Sequence, residues 1–176
     1  MPSHPIPRRA FLAGTAGGAI AASTFSTPAR AERDSFVYEV QRTEDEWRAM
    51  LTKGEYKILR ENDTELPKTS DLWQEERAGT YACRGCDLTI YDSVWKEPLD
   101  IGWVFFAQSE PDTVLMGIDG SPPYGNQMGE GDNRPPAIIE AHCRRCGSHL
   151  GHILTVRGKT LHCINGQALT FAPSEA

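Results

Sequence analysis

No stretch of the 176 residues is apolar enough for long enough to cross a bilayer, which takes about 20 strongly apolar residues in a row, so no stable membrane association is expected. Positive charge is scarce beyond residue 31. The first 31 residues hold three of the 18 Lys and Arg (Arg8, Arg9 and Arg30) and none of the 24 Asp and Glu. The remainder therefore carries 15 basic against 24 acidic residues, a net charge of −9. A nucleic-acid surface needs a basic stripe, and none is visible. Internal repeats and sustained heptads are also absent, which excludes solenoids and coiled coils. Cysteine is sparse too, at five residues, and the odd count matters below.

The first 31 residues differ in character from the rest. Arg8-Arg9-Ala10-Phe11-Leu12 is followed by a short run rich in Ala and Gly, then by Ala29-Arg30-Ala31. A charged n-region, a brief apolar h-region and an A-x-A site in that order, with paired arginines, predict a twin-arginine-type export signal over 1–31. Residues 32–176 are then expected to be one exported domain, periplasmic or otherwise outside the cytoplasm, and long enough to bury a core.

Much of 32–66 is expected to be helical. Trp47, Met50 and Leu51 fall at i, i+3 and i+4, the spacing of one helix face, and Thr43 with Glu46 forms a capping-box pattern just before them. A second apolar cluster, Tyr56, Ile58 and Leu59, follows Gly54. From Thr80 the pattern changes to short β-prone runs at 80–82, 88–91, 103–106, 137–139 and 151–154, separated by Gly, Pro, Asp and Asn. That predicts a small antiparallel β domain. Residues 119–136, without apolar periodicity, are expected to form a long surface loop.

Four of the five cysteines form two C-x-x-C pairs, Cys83 with Cys86 and Cys143 with Cys146, with 56 residues between the pairs. Two such knuckles can bring four thiolates tetrahedrally onto one zinc ion, here fastening the two ends of the β domain. Gly85 and Gly147 are expected to supply the backbone freedom of the turns. Two disulfides are the alternative in an exported protein. A redox-active C-x-x-C is disfavoured because no βαβ context surrounds either pair.

Cys163 is left over. It lies in Leu161-His162-Cys163-Ile164-Asn165-Gly166, not far beyond Gly147-Ser148-His149-Leu150-Gly151-His152. An inert buried cysteine is the bland reading. A thiol with imidazoles nearby is the minimum equipment for thiolate chemistry.

These segments resemble the type B methionine sulfoxide reductases, over roughly residues 36–173. The resemblance is carried by Tyr56-Lys57-Ile58-Leu59-Arg60-Glu61, by Gly79-Thr80-Tyr81-Ala82-Cys83, by Gly102-Trp103, by Cys146 through His152 and by Cys163 through Phe171. It implies a mainly β fold of two small antiparallel sheets with N-terminal helices and one structural zinc held by Cys83, Cys86, Cys143 and Cys146. It implies Cys163 as nucleophile, His149, His152 and Asn165 as polar groups of the substrate site, and Trp103 as an aromatic wall for the substrate's S-methyl group. The expected reaction is thiol-dependent reduction of methionine-R-sulfoxide in oxidised proteins, through a Cys163 sulfenic acid, with no organic cofactor.

Three positions depart from the family pattern. Ile101 stands where many members have a resolving cysteine, so the sulfenic acid must be reduced by an external thiol, thioredoxin-like or a periplasmic equivalent. Leu161 replaces an arginine two residues before the nucleophile, and Val156 replaces a common acidic residue. The loss of the arginine is expected to raise the thiol pKa, with Arg157 and His162 as the basic groups at hand to compensate. Third, Gly102-Trp103-Val104-Phe105-Phe106 makes the pocket wall bulkier and more apolar than the usual Gly-Trp-Pro-Ser-Phe. A second functional reading is therefore a catalytically impaired relative that binds oxidised methionine or a partner protein. A third is a thiol peroxidase or redox sensor acting through Cys163.

Overall fold

The structure, a computed structural model, describes residues 36–119 and 138–175. The expected export signal over 1–31 lies outside the described residues, as does the expected loop apart from its first residue, Asp119. Phe36–Ala176 forms one compact unit.

Two short helices open the described chain: α1 (Glu44–Met50) and α2 (Lys53–Glu61). Each is started by a complete capping box, Thr43 with Glu46 and Thr52 with Glu55. Reciprocal side-chain bonds satisfy N–H groups that would otherwise lack partners, which is how helices this short hold their first turn. The restart at Thr52 explains why Tyr56, Ile58 and Leu59 do not continue the period set by Trp47 and Leu51. Met50 departs from expectation. It is exposed, because α1 ends there and Leu51 turns into extended backbone to carry the burial instead. Asn62, left-handed at φ 57°, stops α2, and residues 62–66 are not helical.

Nine strands follow among the described residues: β1 (Gly79–Cys83), β2 (Thr89–Asp92), β3 (Lys96–Glu97), β4 (Val104–Phe106), β5 (Val114–Asp119), β6 (Ile138–Cys143), β7 (His149–Val156), β8 (Lys159–Ile164) and β9 (Leu169–Pro173). They form two antiparallel sheets, one ordered β2-β1-β9 and the other β3-β4-β8-β7-β6-β5. Strands β7 and β8 are joined by Arg157-Gly158, both at positive φ. That is the two-residue turn whose twist matches the flanking strands.

Aromatic side chains from three strands fill the space between the sheets. Tyr91 of β2 stacks on Phe106 of β4 at 4.1 Å between centroids, and Tyr81 of β1 meets Phe106 edge-on at 5.0 Å. All three are fully buried. Among the described residues no helix is long and apolar enough to cross a membrane. Replacing Phe106 by alanine removes the ring that both tyrosines contact, and is expected to cost roughly 3–5 kcal/mol, read as a lowered urea midpoint at unchanged metal content.

Candidate functional site

The two knuckles sit where strands end. Cys83 closes β1 and its knuckle turns into β2, while Cys143 closes β6 and its knuckle turns into β7. One cluster of thiols thereby joins the two sheets. Cys83 Sγ lies 3.7 Å from Cys146 Sγ and Cys86 Sγ 3.5 Å from Cys143 Sγ, and all four sulfurs lie within 4.8 Å of one another. A disulfide brings sulfurs to about 2.05 Å. A tetrahedron with metal–sulfur bonds of about 2.3 Å separates them by roughly 3.8 Å. The spacing fits a four-thiolate metal site, and all five cysteines are free.

The glycines of the knuckles serve different needs. Gly147 is left-handed at φ 71°, as expected, whereas Gly85 is not. A Cβ on Gly85 would lie 2.9 Å from Ser148 Oγ and 3.3 Å from the Trp47 ring, so that position requires space rather than conformational freedom. In the first knuckle the left-handed residue is Asp87, at φ 58°. Helices α1 and α2 brace the cluster. Arg60 of α2 lies over the Trp47 ring and donates to Cys146 O and Ser148 Oγ.

Cys163 lies on the six-stranded sheet. Cys163 on β8 pairs with His152 on β7 and with Phe105 on β4. Residues directly opposite in an antiparallel sheet point to the same side, about 5 Å apart at Cβ. His149 and His152 are three apart, so a regular strand would send them to opposite faces. The β6–β7 register shifts here: Ala141 pairs with Gly151 and His142 with His149, leaving Leu150 as an extra residue. This bulge brings both imidazoles to the face of Cys163, with ring centroids 5.3 Å apart. Gly151, at φ 153°, makes it possible, since a Cβ there would stand 2.2 Å from the Cys163 carbonyl oxygen.

Two carboxylates that the sequence reading missed organise these imidazoles. Glu140, buried on β6, accepts from His149 Nδ1 at 2.5 Å and from His142 Nε2 at 3.1 Å. His152 Nε2 lies 3.2 Å from Asp119 Oδ2 at the end of β5. Alternation along Glu140-Ala141-His142 was the available signal for the first. Nothing local marks Asp119, which comes from a distant strand. Burial is the main cause that lowers His149 to a pKa of about 4, against the opposing charge of Glu140. His149 is therefore neutral at pH 7. With its Nδ1–H given to Glu140, it presents an Nε2 lone pair, and that buried Nε2 has no hydrogen-bond partner among the described residues. Glu140, His142 and His149 together offer three metal donors within 4.8 Å of one another. As they stand, they are hydrogen-bonded among themselves.

Asn165 and Trp103 lie at the end of the same ladder. Glu65 ties them together. Its carboxylate accepts from Gly166 N at 2.6 Å and Gln167 N at 3.0 Å, its amide donates to Asn165 Oδ1 at 3.1 Å, and its carbonyl accepts from Trp103 Nε1 at 3.2 Å. Asn165 Nδ2 in turn donates to Leu150 O. The asparagine thus fixes the backbone around the site. Cys163 itself is half-buried. Burial, and then the charge of Glu65, push its thiol up to about 12.

The expected effect of Leu161 has a structural basis. It is buried on the same face as Cys163 and opposite Leu154, so an apolar side chain stands where a cation would help. Neither expected substitute takes its place. His162 points to the other side of β8, where Nδ1 lies 3.1 Å from Tyr91 Oη between the sheets. Arg157 is at the hairpin tip, five residues beyond His152, or roughly 16 Å at 3.3 Å per residue. A cavity of about 410 Å³ bounded by Trp73, Glu75, Arg77, Lys96 and Leu99 includes none of the groups around Cys163.

Two antiparallel sheets joined at a cluster of four cysteines, with one further thiol on the same sheet face as two imidazoles, define a small, mainly β protein. Residues 51–173 match the SelR domain family, and the chain belongs to it. It is 33% identical over 143 residues to the peptide methionine sulfoxide reductase MsrB of Leifsonia xyli, covering 78% of this chain and 94% of that protein. It is 32% identical over 140 residues to peptide methionine sulfoxide reductase B3 of Arabidopsis thaliana, covering 77% and 72%. The MsrB of Leptospira interrogans is 31% identical over 137 residues, covering 76% and 96%.

The depressed His149 gives a pH signature. In the unfolded chain an ordinary histidine binds its proton near pH 6.5, whereas in the fold it does so only near 4. Between those values the unfolded state holds more protons, so stability falls as pH drops. The loss attributable to this residue is at most roughly 3 kcal/mol. It is expected to be smaller in His149→Gln at equal metal loading, as measured by denaturant unfolding between pH 7 and 4.5.

Proposed function

We propose that this chain reduces methionine-R-sulfoxide in oxidised proteins, with Cys163 as the nucleophile. The observation that carries the reading is Cys163 facing His152 and His149 on one sheet face, in a member of the SelR domain family. Cys163 sulfur attacks the electrophilic sulfoxide sulfur while the oxygen takes a proton. Methionine leaves, reduced by two electrons, and Cys163 is left as the sulfenic acid. Trp103 and Phe105 offer an apolar wall to the S-methyl group, and the imidazoles offer polar partners to the oxygen. That asymmetry favours one sulfoxide epimer.

Recycling falls to an external thiol. Residue 101 is isoleucine, and the other four cysteines belong to the clasp. An incoming thiol attacks the Cys163 sulfenic sulfur, water leaves, and a second thiol displaces the mixed disulfide to regenerate Cys163. We assign the clasp metal as zinc, a structural ion on Cys83, Cys86, Cys143 and Cys146 that holds the sheets together and has no open coordination position. The paired Arg8-Arg9 and the Ala29-Arg30-Ala31 site support an exported, periplasmic protein made of residues 32–176, which a folded-state export route would let acquire its metal beforehand.

The buried Leu161 and the raised Cys163 thiol favour one rival reading: a relative that binds oxidised methionine without turning it over. Purified protein with dabsyl-methionine-R-sulfoxide and dithiothreitol separates the two. Turnover of the R epimer but not the S, abolished in Cys163→Ser, is expected. Binding without turnover by the wild type, or turnover surviving Cys163→Ser, would refute the reductase. Metal analysis is expected to return one zinc per chain. Its removal by a chelator should lower the melting temperature by more than 10 °C, consistent with the several kcal/mol that structural zinc supplies. Metal-free protein carrying two disulfides would contradict the assignment.

A further inference from the structure

We infer that Asp119 is a positioning residue of the Cys163 site, supplying through His152 the electrostatic support that Leu161 fails to provide. This rests on the reductase reading of Cys163. The register lays one row of side chains across the sheet: Phe105 on β4, Cys163 on β8, His152 on β7, Glu140 on β6 and Gly117 on β5. The carboxylate opposite His152 in that row, Glu140, is drawn away to His149 and His142. Gly117 offers no side chain, and the space beside it is taken by the His142 ring, whose Nε2 would lie 3.3 Å from a Cβ there. Asp119, two residues further along β5, reaches His152 diagonally and places Oδ2 3.2 Å from Nε2. His152 thus sits between the thiol of β8 and a carboxylate of β5, an arrangement of nucleophile, imidazole and orienting acid.

The charged groups around His152 leave this role to Asp119. From its own strand, His149 is neutral and already held by Glu140. From β6 come Glu140 and His142, bonded to each other. From β8 comes Cys163, whose surroundings add only the negative Glu65. Helix α2, which packs on β7, contributes Arg60, engaged with Cys146 O and Ser148 Oγ. Among the described residues, a cation next to Cys163 can therefore come only from His152 as imidazolium, and Asp119 is the carboxylate that stabilises that form. The proton account closes on this pair. Cys163 S–H gives its proton to His152, and the thiolate attacks the sulfoxide sulfur. His152 then passes the same proton to the oxygen that ends in the sulfenic acid. Asp119 touches neither reacting atom; it acts by holding His152.

The test uses the full, metal-loaded chain and reads the alkylation of Cys163 by iodoacetamide against pH, located by mass spectrometry. Asp119→Asn is expected to slow alkylation at pH 7 about tenfold and to move the profile toward higher pH, while Asp119→Glu restores most of the rate. His152→Gln should slow it similarly, and the Asp119→Asn/His152→Gln pair should be no slower than the worse single variant. Melting temperatures report folding, and Asp119→Ser serves if the asparagine variant is unstable. An Asp119→Asn profile that overlays the wild type, or losses in the pair that multiply, would overturn the inference. So would a loss that tracks the unfolded fraction. The readout needs no turnover, so a chain inactive toward methionine-R-sulfoxide would defeat the reductase reading without hiding the state of the thiol. Where turnover is present, kcat/KM is expected to fall by the same factor with its acidic limb shifted.

Discussion

Four sulfurs held within 4.8 Å of one another at the meeting of the two sheets are the constraint on which the rest of this structure depends. Strands β1 and β2 diverge from one side of the cluster, β6 and β7 from the other. Every functional group on the six-stranded sheet is thus referenced to a point that also anchors the smaller sheet. The helices add to this anchor rather than to the reactive face. Trp47 and Arg60 pack beside the second knuckle, and Arg42 donates to Gly85 O in the first. In a domain this small, a cross-link that fixes both sheets relieves the aromatic core of doing so alone.

The reactive face shows how a backbone irregularity can place side chains that no regular strand would unite. One extra residue, Leu150, puts His149 beside His152, and one missing Cβ, at Gly151, lets β7 pass close against the Cys163 carbonyl. The imidazoles are then differentiated by their carboxylates. Glu140 keeps His149 in one tautomer inside a dry environment, whereas Asp119 meets His152 from the end of β5.

Much of this was legible in the residue order. The capping box at Thr43, the five β-prone runs and the two cysteine knuckles declare themselves locally, through spacing and residue type. Strands β5, β8 and β9 do not. Val114–Asp119 carries Met and Gly in an exposed edge strand, and Lys159–Ile164 mixes charge, imidazole and thiol because its two faces serve a site and a core. Alternation within β8 also decided a matter that proximity in sequence could not. His162, adjacent to Cys163, belongs to the Tyr91 side of the sheet and is lost to the chemistry. Cys163, His149 and His152 were found because imidazole and thiol are rare and conspicuous. Glu65, Asp119 and Glu140 were not, since ordinary acidic residues acquire meaning only from partners brought by the fold.

Glu65 carries a temporal consequence. Its bonds to Asn165, Gly166 and Gln167 join positions 100 to 102 residues apart, and they complete the surroundings of the thiol from the opposite end of the chain. A ribosome must release nearly the whole polypeptide before this enclosure can close. The cysteine clasp, by contrast, needs nothing beyond Cys146. Loop closure over such a distance costs only slowly growing entropy, but it delays the surroundings of Cys163 until residues 165–167 have emerged. A growing chain therefore passes through a stage that has all four thiols of the clasp and not yet Cys163.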